Sequence, residues 1–244
     1  MLADPCCTYS ETPGDGSMNQ DHFGKLREQM LLDIVAHMHL AGGQIGKPAL
    51  DARVMQAMAK VPRHEFVPAE LQFFAYSDTP LPIGYEKTIS QPFIVALMTD
   101  LLQLEKTHSV LEIGTGLGYQ AAVLGELADK VYSIEFIEEL AAKAAYRLNR
   151  LGYLHIQTTI GDGYRGWSEH APFDRIIVTA SPQLIPPPLL MQLKRGGRMV
   201  IPTGLPESQK LVLACKAADG SISTEEILPV RFSELEGDEA AKPC

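Results

Sequence analysis

Apolar and polar positions follow two different periods along this chain. From Asp21 to about Leu40, Phe23, Leu26, Met30, Ile34 and Met38 recur at helical spacing and predict one helix, which Gly42 and Gly43 end. His37 and His39 fall in its last turn and point to different faces. Asp51 suits the N-cap of a second helix carrying Val54, Met55 and Met58. Prolines bracket Val61–Pro68, so that stretch is not continuous helix. Ala75–Gln91 reads as irregular, and Pro92 starts a helix that runs to Leu104 with a broad apolar face.

From Ser109 onward short apolar runs alternate with helical stretches. Strands are predicted at Val110–Ile113, Val131–Ile134, Ile156–Ile160, Arg175–Val178 and Arg198–Ile201, and two more at Lys210–Cys215 and Glu226–Phe232. Helices fill Gln120–Ala128, Glu138–Leu151 and Pro186–Leu193, with Gly152 at a C-cap position. This alternation predicts an α/β fold: a doubly wound, mostly parallel sheet of about seven strands with helices on both faces, preceded by an N-terminal helical region. The order of the last strands stays open. The expected layout is a disordered tail over 1–18, a helical and substrate-loop region over 19–106, a sheet core over 107–233 and a loose acidic tail over 234–244, all in one structural domain.

Composition narrows the partners. The 244 residues are 45% hydrophobic and 21% charged, ordinary for a globular chain. A net charge of −9 argues against nucleic acid as the main partner. No apolar run is long enough to span a bilayer, and no signal-peptide pattern opens the chain, so a cytoplasmic monomer without membrane contact is expected. Cys6, Cys7, Cys215 and Cys244 lack zinc-ligand spacing, and no metal is expected.

The candidate chemistry lies at the strand ends, where doubly wound sheets bind ligands. The first strand breaks into Gly114, Thr115, Gly116 and Gly118, a turn that lets a ligand approach the main chain. The second ends in Glu135, placed to accept from both hydroxyls of a ribose. The third is followed by Asp162 and Gly163, with Asp162 an acceptor for an adenine amino group, and the fourth ends in Thr179. Two cofactors compete for this arrangement. A dinucleotide turn reads G-x-G-x-x-G, whereas here Tyr119 stands where the third glycine belongs and Glu112 precedes the turn, where it would repel a pyrophosphate. A carboxylate at Glu112 suits a cofactor with a cationic amino-acid end, so the spacing favours S-adenosylmethionine over NAD.

Several segments together resemble the protein-L-isoaspartate O-methyltransferase family: Val61–Pro68, Ala75–Asp78, Leu81–Gly84, Thr88–Pro92, Val110–Gln120, Gly161–Gly163, Ala171–Ala180 and Gly196–Pro202. The resemblance spans about residues 22–232, and Thr88–Pro92 is its most family-specific piece. It implies methyl transfer from S-adenosylmethionine to the free α-carboxylate of L-isoaspartyl residues in damaged peptides and proteins. The ester then closes to a succinimide, whose hydrolysis restores some normal bonds. The family's active-site serine maps onto Ser90, and the resemblance places the acceptor beside Thr88, Ile89 and Ser90; Lys87, just before them, could add positive charge for the carboxylate, which Glu86 could neutralise. A carboxylate is already nucleophilic at neutral pH, so alignment matters more than a strong base. Nothing in the sequence marks a base partnered to Ser90, which disfavours a covalent role.

The chain departs from the family pattern before Thr88, where Gly84, Tyr85, Glu86 and Lys87 replace Gly-x-Gly-Gln. Ser233–Gly237 likewise replaces a more apolar continuation. Two other functions stay open: a methyltransferase of the same fold acting on a dedicated peptide or another small carboxylate acceptor, and a binding protein that keeps the cofactor pocket without turnover.

Overall fold

A computed structural model of the chain describes residues 15–237. Two helices, α1 (Asp15–Ile45) and α2 (Ala52–Lys60), precede a hairpin of β1 (Leu81–Gly84) and β2 (Lys87–Ile89) and then α3 (Pro92–Leu101). The alternating part follows as β3 (Ser109–Ile113), α4 (Tyr119–Leu127), β4 (Lys130–Glu135), α5 (Glu138–Arg150), β5 (Ile156–Ile160) and β6 (Phe173–Val178). It ends with α6 (Pro187–Gln192), β7 (Leu193–Thr203), β8 (Lys210–Lys216) and β9 (Ile222–Pro229). The seven-stranded sheet has the order β5-β4-β3-β6-β7-β8-β9. Strands β3 to β7 run parallel, and β8 and β9 pair antiparallel, which supplies the order the sequence left open.

The central parallel strands β3 and β6 are largely buried on both sides because helices cover both faces, whereas β5 at the edge is half-exposed. Leu111, Ile113, Ile176, Val178, Met199 and Ile201 pack on one face. Val110, Ile177, Val200, Leu211 and Leu213 pack on the other, in a cluster that continues without a break into Met30, Ile34, Met58 and Leu97 of the N-terminal helices.

Four expectations change. Helix α1 runs from Asp15 through Gly42 and Gly43 to Ile45, and Gly46 with φ +72° follows it. Its start lies inside the expected tail over 1–18, since a packed helix extends at little cost per residue once nucleated; residues 1–14 lie outside the described residues. The helix keeps Gly42 because the chain folds back there: Lys47 N–H donates to Gly42 C=O at 3.2 Å, and a Cβ on Gly42 would stand 2.9 Å from Lys47 O. His37 is therefore mid-helix, not helix-terminal.

Ala75–Gln91 is not wholly irregular. It holds the β1–β2 hairpin, closed by Tyr85 and Glu86, both in the left-handed region with φ +53° and +57°. Two such residues form a type I′ turn, which normally takes Asn and Gly. Strand β7 starts at Leu193, before the two glycines expected to turn into it, and absorbs them as an irregularity in its register with β6. The expected loose tail is anchored over its first residues: Leu235 is buried beside Tyr164, and its N–H donates to Ser181 C=O at 3.0 Å. The remainder, 238–244, lies outside the described residues. None of the helices among the described residues is long and apolar enough to cross a membrane.

Candidate active site

The chain reverses direction across the sheet between β3 and β6, and a cavity of about 600 Å³ opens beyond the carboxyl ends of these strands. Gly114, Gly116, Glu135, Gly163 and Thr179 line one side, and Lys87, Thr88, Ser90 and Gln91 line another. Residues Leu228 to Glu236 close a third side as an extended strap.

The floor is built by backbone. Gly114 N–H donates to Ile134 C=O at 2.8 Å, and Thr179 Oγ1 donates to Gly114 C=O at 2.7 Å. Gly114 has φ +93°, and a Cβ there would stand 2.4 Å from Thr179 Oγ1, so only glycine fits. Gly118, also left-handed, lies against Leu148 and caps α4. Glu135 ends β4 with its carboxylate accepting from Gly116 N–H at 2.7 Å and Ile137 N–H at 3.0 Å. Burial raises its pKa above the ordinary value, against these backbone donors. Two bonds leave a carboxylate with further acceptor capacity.

Glu112 is fully buried on β3 but does not line the cavity. Thr115 Oγ1 sits 2.5 Å from Ser133 Oγ, and Ser133 Oγ donates to Glu112 Oε2, while Oε1 has no partner. Burial pushes the Glu112 carboxyl up to about 8, against the Ser133 hydrogen bond, and the nearby Glu135 adds to the rise. The Thr115 side chain is thus turned into this chain of hydroxyls and away from the cavity. Asp162 is turned away as well: it accepts from Tyr164 N–H at 2.9 Å, capping a short 3₁₀ turn, and pairs with Arg165 at 3.4 Å. Only its neighbour Gly163 reaches the cavity wall, where a Cβ would stand 2.4 Å from Ile113 Cγ2.

On the opposite wall, Lys87, Thr88 and Ser90 come together as expected, whereas the Ile89 side chain is buried in the core because strand alternation points it inward. Two residues that sequence reasoning missed hold this wall. Arg63, fully buried, donates from Nη2 to Ser90 C=O and from Nε to Ala75 C=O, both at 2.7 Å, and lies 4.7 Å above the Tyr119 ring. Burial pulls its pKa down from the usual arginine value. Asp78 accepts from Phe93 N–H at 2.8 Å and from Gln91 Nε2 at 3.2 Å, capping α3 from a distance, and it also pairs with His37. The strap was missed too. Ser181 N–H donates to Ser233 C=O at 2.8 Å, and Lys87 Nζ donates to Glu236 Oε1 at 2.5 Å.

A glycine turn at the switch point, an acid ending the next strand and a separate wall of hydroxyls define a Rossmann-like methyltransferase. The model of the protein-L-isoaspartate(D-aspartate) O-methyltransferase family matches residues 44–240, and the chain belongs to that family. It is 60% identical over 93% of its length to a protein-L-isoaspartate O-methyltransferase 1 of Polaromonas sp. (strain JS666 / ATCC BAA-500), covering 96% of that protein. It is 52% identical over 97% of its length to the like-named protein of Cupriavidus necator, covering 88% of it. Among solved structures, a protein-L-isoaspartate O-methyltransferase superposes with a TM-score of 0.74 at 29% identity, over 86% of this chain and 66% of that one. A 22% identical putative enzyme of that name from Plasmodium falciparum, in complex with S-adenosyl-L-homocysteine, shares the fold with a TM-score of 0.70, over 84% of this chain and 98% of that one.

Proposed function

We propose that this chain transfers a methyl group from S-adenosyl-L-methionine to the free α-carboxylate of L-isoaspartyl residues, the first step of repair through a succinimide. One observation carries the reading: the glycine turn with Glu135 and the Thr88–Ser90 wall face a single cavity. Its size suits a nucleoside-sized ligand with an acceptor residue beside it.

The donor set fits the cofactor. Gly114 and Gly116 leave main chain bare where a ligand must approach closely, and Glu135 is a buried acceptor ready for ribose hydroxyls. Gly163 and Thr179 complete that side. Glu112, with one oxygen lacking a partner, and Thr115 act from behind the turn and fix it. Asp162 supports Gly163 through its cap. Bound there, S-adenosylmethionine supplies an electrophilic methyl on a sulfonium.

The acceptor carboxylate is ionised near pH 7 and needs no base. The chain's work is to hold one carboxylate oxygen in line and keep water out. Ser90 and Thr88 offer hydroxyl donors and Lys87 a positive charge on the same wall, while Ile89 packs in the core behind them. Arg63 and Asp78 set the position of that wall through Ser90 C=O and the first turn of α3. The helical region 19–106 and the sheet core 107–233 act as one domain in this reading, supported by their shared apolar cluster. A cytoplasmic monomer belongs to the same proposal, as does the absence of nucleic acid as partner, which the net charge of −9 supports.

Matched isoaspartyl and aspartyl peptides with radiolabelled cofactor test it. Methyl transfer to the isoaspartyl peptide alone is the expected result. Equal transfer to both, or transfer to neither, overturns the reading. Lys87 and Glu236, which depart from the family pattern inside the cavity, favour the second reading, a dedicated carboxylate acceptor, if neither peptide reacts.

A further inference from the structure

The two departures from the family pattern meet in space. Lys87, on the hairpin, and Glu236, on the strap, are 149 positions apart in sequence yet 2.5 Å apart at the cavity. The Lys87 side chain is 21% exposed and that of Glu236 47%, so the lysine is the sheltered member of the pair. Glu236 therefore presents a carboxylate to the lysine on the wall that carries Thr88 and Ser90. Charge chemistry cannot distinguish this carboxylate from that of an acceptor.

The elements carrying the pair are otherwise held lightly near the cavity mouth. The hairpin tip is strained, with Tyr85 and Glu86 in the left-handed region; Lys143 Nζ lies 5.6 Å from the Tyr85 ring centre, and Glu86 C=O accepts a long 3.5 Å bond from Ser233 Oγ. The strap is anchored deeper, by two backbone bonds with Ser181 and by buried Leu235. Glu236 sits just beyond that anchor, so it can leave Lys87 without releasing the strap. Arg231, another cation at the cavity, lies before the anchor and is exposed.

The geometry points to Glu236 as an internal competitor for Lys87: it holds the lysine when no acceptor is bound, and the acceptor's carboxylate displaces it. Acceptor selection then depends on an exchange of one carboxylate for another. Acceptors that also carry acidic neighbours are disfavoured, because they meet the displaced Glu236. This rests on the reading of the cavity as a carboxyl methyltransferase site.

The test is steady-state kinetics with isoaspartyl peptides on the full chain and on Glu236→Gln, Lys87→Gln and the double variant. Glu236→Gln lowers the acceptor KM about two- to five-fold, the range of a partly exposed ion pair, with kcat unchanged. Lys87→Gln raises KM, and in its background Glu236→Gln has no further effect. Affinity for S-adenosylhomocysteine by calorimetry stays the same in Glu236→Gln. An unchanged or raised KM in Glu236→Gln, or an equal drop in the Lys87→Gln background, overturns the exchange while leaving methyl transfer to isoaspartyl peptides intact. If the wild-type chain methylates neither peptide, the functional reading fails instead. Binding of a small carboxylate such as succinate, read by calorimetry, then decides the exchange alone: it must tighten in Glu236→Gln, and equal binding overturns it.

Discussion

Replacing Glu112 with glutamine should make the cofactor-free protein more stable at alkaline pH, although it alters a fully buried group of the glycine turn. The Glu112 carboxyl is raised from an ordinary 4.5 to about 8 by burial. The folded state therefore holds a proton in that interval that the unfolded state has released. Stability falls as pH rises whenever the folded state binds more protons, by about 1.4 kcal/mol per pH unit for one group. The contribution is fully present below pH 4.5 and is lost by the time pH passes about 8. The whole swing is about 5 kcal/mol, and about 3 of it is already lost at pH 7. Glutamine does not titrate, and its amide oxygen still accepts from Ser133 Oγ, so the variant lacks this slope while keeping the hydrogen bond. Trp167, the single tryptophan, packs edge-on against Tyr132 and reports unfolding by fluorescence. Urea titrations between pH 5 and 9 should give a difference between variant and wild type that grows in the variant's favour with pH and levels off near 8. Using the difference cancels the titration of other carboxyls, such as Asp51 and Asp174, whose lowered values act in the opposite sense. A difference that stays constant across this range would show that Glu112 is already ionised in the folded protein and would refute the reasoning.

Three further substitutions probe the cavity directly. Ser90→Ala should lower turnover about ten- to a hundred-fold, the worth of a hydrogen bond to a charged group, with cofactor affinity by calorimetry unchanged; equal turnover removes Ser90 from the site. Glu135→Ala strips two backbone N–H groups of their acceptor and should weaken S-adenosylhomocysteine binding at least about ten-fold, which an unaltered isotherm would contradict. Gly114→Ala forces a side chain into φ +93° and to 2.4 Å from Thr179 Oγ1; a melting temperature equal to wild type, where a drop of several degrees is expected, would mean the turn relaxes freely.

The sheet was legible because each parallel strand is a short run rich in apolar and β-branched residues between helical stretches, and Val110–Ile113, Val131–Ile134 and Ile156–Ile160 are too short to be confused with helices. The antiparallel edge was less so. Residues Ile222 to Glu226 of β9 are exposed and, from Ser223 on, polar, so the sequence placed that strand several positions too late. The hairpin was hidden because its turn is made by Tyr85 and Glu86 instead of residues that favour positive φ. Site residues divided by the direction their side chains take. Glycines and strand-end residues, Gly114, Gly116, Glu135 and Thr179, are placed by topology alone and were found. Thr115, Glu112 and Asp162 depend on which hydrogen bond each side chain selects, and local partners Ser133 and Tyr164 won over the cavity. The strap was invisible because its anchor, Leu235, is a single apolar residue in an acidic segment.

Arg63 explains why the acceptor wall needs so much chain before it. A fully buried guanidinium normally meets a carboxylate, yet its hydrogen bonds go to two carbonyls, and Nη1 has no partner. Its charge is stabilised instead by the Tyr119 ring, the first residue of the helix that follows the glycine turn. One side chain thus ties the cofactor turn, through Tyr119, to the Ser90 carbonyl. On the far side, Asp78 fixes the first turn of α3 at Phe93, two residues after Ser90's neighbour Gln91. Ser90 is therefore clamped from both directions by residues that never enter the cavity. The proposed methyl transfer without a strong base depends on alignment, and this clamp is what the fold would contribute to it beside the serine hydroxyl.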